Sequence, residues 1–112
     1  MAEQQSNPAP LGEAAELSQL VDYQSGSVVS RTLVKQEKGN VTLFAFDAGQ
    51  ELSEHTAPFD ALVYVVDGTA QITIEGRQQP VSAGQMIIMP ADRPHAVKAD
   101  ERFKMMLVMI RA

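Results

Sequence analysis

The chain contains no cysteine, and its basic residues are few. Without cysteine there are no disulfides, no thiolate nucleophiles and no zinc–thiolate sites. Nine Lys and Arg stand against 14 Asp and Glu, which gives a formal net charge of -5. A nucleic-acid surface needs clustered Lys and Arg, whereas here they are scattered among acidic residues. The composition therefore predicts no nucleic-acid partner.

Long apolar runs are also absent from the sequence. No stretch approaches the roughly 20 apolar residues of a membrane-spanning helix. The first residues, Met-Ala-Glu-Gln-Gln-Ser, lack the cationic start and apolar run of a secretory signal. We therefore expect no membrane partner and a cytoplasmic protein. Hydrophobic residues make up 45% of the 112 positions, which is typical of one globular domain.

Two regions differ in their patterning. Residues 1–26 contain Pro, Gly and Gln, and are expected to form a tail and a short helical or extended arm. Within this region Leu17, Leu20 and Val21 share one face, which suggests a short helical turn. Residues 27–112 are expected to form a β-barrel.

The second region consists of short apolar segments separated by turn residues such as Asp67-Gly68 and Ala83-Gly84. The expected strands are Val28–Val34, Val41–Phe46, Leu62–Val66, Ala70–Glu75, Gln79–Val81, Met86–Met89, His95–Ala99 and Phe103–Ile110. Eight or so short strands at this spacing predict an all-β sandwich or barrel.

Two of these strands, Leu62–Val66 and Met105–Ile110, are apolar at every position. Such a strand is covered on both faces, and a chain of this length has little left to cover the outside of its own barrel. We therefore expect a homodimer. The alternative is that the N-terminal helical turn folds over one sheet.

The only two histidines, His55 and His95, each follow a glycine and a short apolar run. Both segments are expected to form a strand, a turn and a strand. If these hairpins lie side by side in one sheet, the two imidazoles face each other across a pocket. The six methionines are expected to fill the core, because the flexible thioether packs into irregular apolar space.

The spacing of the first histidine segment resembles the first motif of the cupin superfamily. That motif runs G, five residues, H-x-H, three or four residues, E, six residues, G. Here Gly49 is followed after five residues by His55, Thr56 and Ala57. Ala61 then stands at the glutamate position, and Gly68 follows after six residues.

The second motif of that family runs G, five residues, P-x-G, two residues, H, three residues, N. Gly84, Pro90, Asp92, His95 and Ala99 stand at its fixed positions. Asp92 replaces a glycine, so we expect a positive φ there, which aspartate tolerates better than most residues. The resemblance covers residues 49–99 directly. It implies a cupin-type double-stranded β-helix, also called a jelly-roll barrel, with a short N-terminal helical turn.

Metal-binding cupins hold their ion with both histidines and the glutamate of the first motif and the histidine of the second. The resemblance therefore implies metal ligation by His55 and His95, whereas Ala57 and Ala61 carry no donor atom. Asp60 is the nearest carboxylate, but strand alternation turns it to the opposite face unless a bulge re-aims it. The implied cofactor is none, or a weakly held divalent transition metal (Fe, Mn, Ni or Zn).

The sequence leaves three hypotheses open for the histidine pair. The first is a small-molecule-binding barrel whose pocket is lined by His55, His95, Ala57 and Ala61, its ligand unknown. The second is a metal-dependent enzyme of the dioxygenase, isomerase or lyase type, with a reduced His ligand set. In the third, the two histidines are remnants, and the barrel acts only through its dimer surface.

Overall fold

The computed structural model describes the backbone of residues 2–4 and residues 10–111 in full. The elements, in chain order, are β1 (Ala2–Gln4), a 3-10 turn (Leu17–Gln19), β2 (Val28–Gln36), β3 (Gly39–Phe46), β4 (Glu51–His55), β5 (Ala61–Asp67), β6 (Thr69–Ile74), β7 (Arg77–Ser82), β8 (Met86–Met89), β9 (His95–Lys98) and β10 (Phe103–Ile110). In this part of the chain no helix is long and apolar enough to cross a membrane.

The strands form two facing sheets. The larger sheet has the order β1-β2-β3-β10-β5-β8, and the smaller has the order β4-β9-β6-β7. All pairs are antiparallel except β1 with β2. The predicted all-β jelly roll is therefore confirmed. The helical turn expected within residues 13–21 is limited to the three residues Leu17–Gln19.

The main core lies between the sheets and follows strand alternation. On β5, Ala61, Val63 and Val65 are buried in this core, while the residues between them point to the outer face. Two aromatic rings, Phe46 on β3 and Phe103 on β10, stack with their centroids 4.5 Å apart at an interplanar angle of 11°. Met89 and Met105 are also buried there, as expected for methionines that fill a core.

The N-terminal arm covers one half of the outer face of the larger sheet. Val21 packs there against Val29, Leu43 and Ala45. Two buried cations from the sheet hold the arm by its carbonyl groups: Arg31 Nη1 donates to Leu20 O at 2.7 Å, and Lys104 Nζ donates to Ser18 O at 2.5 Å. Because a buried charge is costly without hydrogen-bond partners, these contacts fix the position of the arm.

The other half of the outer face has no cover from the described residues. It holds an apolar cavity of about 520 Å³ between β5, β8 and β10. The cavity is lined by Pro58, Phe59, Asp60, Leu62, Ile88, Ala91, Val108 and Ile110. The two covers expected for the apolar strands, the N-terminal turn and a partner subunit, would thus both lie on this face. The arm occupies one half, and a partner subunit on the second half stays a prediction.

Two glycines with positive φ provide a matched test of packing at the turns. Gly68 (φ +75) lies where a Cβ would come within 2.6 Å of the Arg102 carbonyl oxygen, whereas at Gly76 (φ +79) a Cβ would meet nothing within 4 Å. Gly76→Ala should lower the free energy of unfolding by about 1–2 kcal/mol, the strain of a left-handed alanine. Gly68→Ala should cost a further 1–3 kcal/mol, roughly, because backbone must move. Urea denaturation measures both, and equal losses would contradict this packing.

Candidate functional site

The site is built where β4 and β9 lie side by side in the smaller sheet. His55 is the last residue of β4 and His95 is the first residue of β9, and the two are register partners. The register shifts between Leu52 and His55. Such a bulge re-aims the side chains that follow it. It therefore sets the direction in which His55 leaves the strand.

The two imidazoles are in direct contact. Their Nε2 atoms are 3.2 Å apart, and the rings meet edge to face with their centroids 4.4 Å apart. His95 is buried, with 4% of its surface exposed, whereas His55 is exposed. The structure thus brings together the two residues that the sequence singled out. The pair consists of one ring inside the barrel wall and one ring open to solvent.

Backbone carbonyls hold the other nitrogen of each ring. His55 Nδ1 lies 2.8 Å from Ser53 O, and His95 Nδ1 lies 3.2 Å from Arg93 O. A carbonyl oxygen only accepts, so each Nδ1 carries the hydrogen in these contacts. In neutral imidazoles both Nε2 atoms are then acceptors. The three contacts need three hydrogens, and two neutral rings supply two.

Burial controls the charge of His95. Desolvation lowers the pKa of His95 below its ordinary value, and a positive charge on His55 lowers it further. The hydrogen bond to Arg93 O opposes both effects without overcoming them. Neutral His95 is therefore favoured in the folded protein. Its Nε2 is a hydrogen-bond acceptor at the wall of the barrel.

The alanines at the other two motif positions lie on different elements. Ala61 begins β5 and is buried on the inner face of the larger sheet. Its register partners are Met89 on β8 and Met109 on β10, so thioethers flank it on both sides. Ala57 lies beyond the end of β4, and its carbonyl accepts a hydrogen bond from Asp92 N at 2.7 Å. Its place as a pocket-lining residue stays a prediction.

Asp60 is engaged away from the histidines. Its Oδ1 accepts a hydrogen bond from Ala91 N at 2.8 Å, and the residue lines the cavity on the outer face. This agrees with the expectation from strand alternation that Asp60 points away from the inner face. The contact ties the loop after β4 to the loop before β9.

The donor set does not fit the metal site that the sequence resemblance implies. An Nε2 separation of 3.2 Å suits two ligands on one ion, since bonds of about 2.0–2.1 Å would subtend an angle of about 100°. No group of three His, Cys, Asp or Glu side chains that could hold an ion occurs among residues 2–4 and 10–111. Iron, manganese and nickel sites draw on more imidazole and carboxylate ligands than this pair provides.

Two features of the loop before β9 complete the site. Asp92 has φ +63, which confirms the left-handed conformation expected at this motif position. The Arg93 guanidinium donates to Glu75 Oε2 at 2.8 Å, so it is paired rather than free for an anionic ligand. The carbonyls of Ser53 and Arg93 were not foreseen, because a backbone acceptor leaves no signal in residue type.

We expect the lowered pKa of His95 to make stability depend on pH. The unfolded state, with a pKa near 6.5, binds the proton more readily than the folded state. The free energy of unfolding should therefore fall as pH drops through 6.5, above the range in which carboxylates titrate. Urea denaturation at several pH values measures this slope. It should flatten in His95→Gln and weaken in His55→Ala, and an unchanged slope in His95→Gln would refute the assignment.

Comparisons with known proteins agree with this fold. A conserved protein of unknown function from Streptococcus pyogenes is 39% identical and superimposes with a TM-score of 0.89, covering 95% of this chain and 93% of that one. A cupin 2 conserved barrel domain protein from Leptotrichia buccalis is 38% identical, with a TM-score of 0.81, over 84% of this chain and 46% of that one.

A curated relative, polyketide synthase CurC from Streptomyces cyaneus, is 28% identical over 82 residues, which is 70% of this chain. That match spans 53% of the relative, about half of its length. A family model described as "Cupin domain" matches residues 42–111, which include both histidines, both hairpins and most of the barrel. Since this match spans more than half of the chain, the protein belongs to the cupin family.

Proposed function

We propose that this cupin barrel binds a small organic molecule, without a metal ion, beside His55 and His95. The observation that supports the proposal most is the pair of Nε2 acceptors 3.2 Å apart, with both Nδ1 atoms held by carbonyls. The hydrogen bonds to Ser53 O and Arg93 O preset the orientation of both rings. A preorganised polar pair of this kind gives a ligand its orientation at little entropic cost.

The surroundings of the pair suit an apolar ligand. Ile74 is the register partner of His95 on β6, and it packs with Leu52 against the main core. The facing sheet presents Ala61 between the two methionine side chains of Met89 and Met109. Binding sites for small molecules combine such apolar walls with a few placed polar groups. The alanines at the two missing ligand positions are smaller than the histidine and the glutamate of the motif.

The alternative is a metal-dependent enzyme of the dioxygenase, isomerase or lyase type. It is favoured by the spacing of the two Nε2 atoms, which suits neighbouring positions on one ion. The donor set opposes it, since Ala57 and Ala61 carry no donor and Asp60 is bonded to Ala91 N. Two imidazoles would hold a divalent ion weakly.

One preparation tests both readings. Protein purified without chelator or affinity tag should contain less than about a tenth of an equivalent of transition metal, since site selectivity requires a fuller ligand set. A library of neutral organic molecules should contain members that raise its melting temperature at ligand excess. These shifts should disappear in His55→Ala/His95→Ala and persist in Lys98→Ala, an exposed position on the same strand. One equivalent of metal, lost in His55→Ala, would favour the enzyme. A library in which no member raises the melting temperature would refute the binding proposal.

We also propose that the protein is a homodimer through the open half of the outer face. The apolar cavity there is lined by exposed Ile88 (49%) and Ile110 (69%), and exposed Met86 (51%) lies on the same strand as Ile88. Large exposed apolar patches mark interaction sites. A two-fold contact would cover this patch with the same patch of a second copy, at about 800 Å² per partner.

A charge placed in the patch tests the dimer. Ile88→Arg should convert a dimer into a monomer at micromolar concentration while leaving the fold intact, because this side chain is already half-exposed. Gln78→Arg adds the same charge on the smaller sheet and should remain dimeric. Size-exclusion chromatography with light scattering reads both masses. A wild-type chain that runs as a monomer would refute the proposal.

A further inference from the structure

The histidine pair lacks one hydrogen-bond donor. Contacts at Ser53 O, at Arg93 O and between the two Nε2 atoms require three hydrogens, and two neutral imidazoles carry two. Two bare lone pairs 3.2 Å apart repel each other. A proton added to the pair would supply the third hydrogen. While both rings are neutral, the arrangement is satisfied when a third party brings a hydrogen to the Nε2 atoms. The site therefore has a chemical preference that its apolar walls alone would not give it.

While both rings are neutral, the charged residues near the pair do not supply this hydrogen. The Arg93 guanidinium is bonded to Glu75, and Lys98, on the same strand as His95, lies beside Asp100 at 3.7 Å. On β4, Glu51 and Glu54 are exposed carboxylates, which accept rather than donate. On the larger sheet, the side chains of Ala61 and of its register partners Met89 and Met109 carry no hydrogen-bond donor. Among the described residues, His55 Nε2 is the hydrogen-bonding neighbour of His95 Nε2.

Resting on the binding function proposed above, we infer that the ligand class is a neutral phenol or enol, an apolar ring or chain whose O–H group donates to the paired Nε2 atoms of His55 and His95. Water can donate at exposed His55 in the free protein, and the ligand hydroxyl replaces it. A carboxylate is itself a hydrogen-bond acceptor, so it could not donate to either Nε2 atom. A purely apolar molecule would displace that water and leave both lone pairs unmatched.

Two probes of similar shape isolate the hydroxyl. 4-Methylphenol carries the O–H donor, and 4-fluorotoluene replaces it with fluorine, which cannot donate. Titration of each into the wild-type protein by NMR gives the two dissociation constants. We expect 4-methylphenol to bind about fivefold more tightly or better, the range of one net hydrogen bond. Its largest shift changes should fall on the Nε2 resonances of both histidines.

Variants locate the preference. In His55→Ala/His95→Ala the ratio of the two dissociation constants should fall to about one, because both acceptors are gone, whereas Lys98→Ala should keep the wild-type ratio. A wild-type ratio of about one would overturn the inference and leave the binding proposal standing. The inference would also be overturned, and the binding proposal would stand, if neither probe bound while other library members bound at the histidines. Failure of every library member overturns the binding proposal itself. Nitrogen spectra of the free protein that show Nε2–H on a neutral ring would also overturn the inference.

Discussion

The pairing of β4 with β9 is the constraint on which the site depends. Register places His55 opposite His95, and the bulge after Leu52 turns the first ring towards the second. Hydrogen bonds from each Nδ1 to a carbonyl two residues earlier then fix both rings. Neither ring could hold this orientation on an isolated hairpin, since the partner nitrogen comes from 40 residues away. Sheet geometry thus converts two distant histidines into one polar group.

The larger sheet carries an apolar residue, Ala61, at the motif position where the resemblance expects a glutamate. At the register level of Ala61 the larger sheet offers two thioethers and a methyl group. These side chains stabilise apolar groups, and they provide neither the negative charge nor the donor atoms that a divalent ion requires. Burial of His95 acts in the same direction, because it favours the neutral imidazole. Both features support the proposal that His55 and His95 act through hydrogen bonds.

The outer face of the larger sheet also needs cover for its apolar side chains. Apolar strands at the centre of this sheet need cover on both sides. Val21 of the arm, held by Arg31 and Lys104 at the carbonyls of Leu20 and Ser18, covers one half. The remaining half keeps an apolar cavity, where we propose that a second copy of the chain docks. The positions of Arg31 on β2 and Lys104 on β10 determine which half of the face the arm covers.

The sequence by itself determined the strand class, the core alternation and the two residues of interest. Alternating apolar positions such as Ala61, Val63 and Val65 identify the buried face, and two spaced motifs locate His55 and His95 in the barrel. Asp92 revealed its left-handed backbone because it stands at a glycine position. Only the tertiary structure decided that the rings touch, that carbonyls fix their tautomers, and that Asp60 is bonded to Ala91 N. These outcomes depend on register, a bulge and backbone acceptors, none of which is encoded in the identity of a single residue.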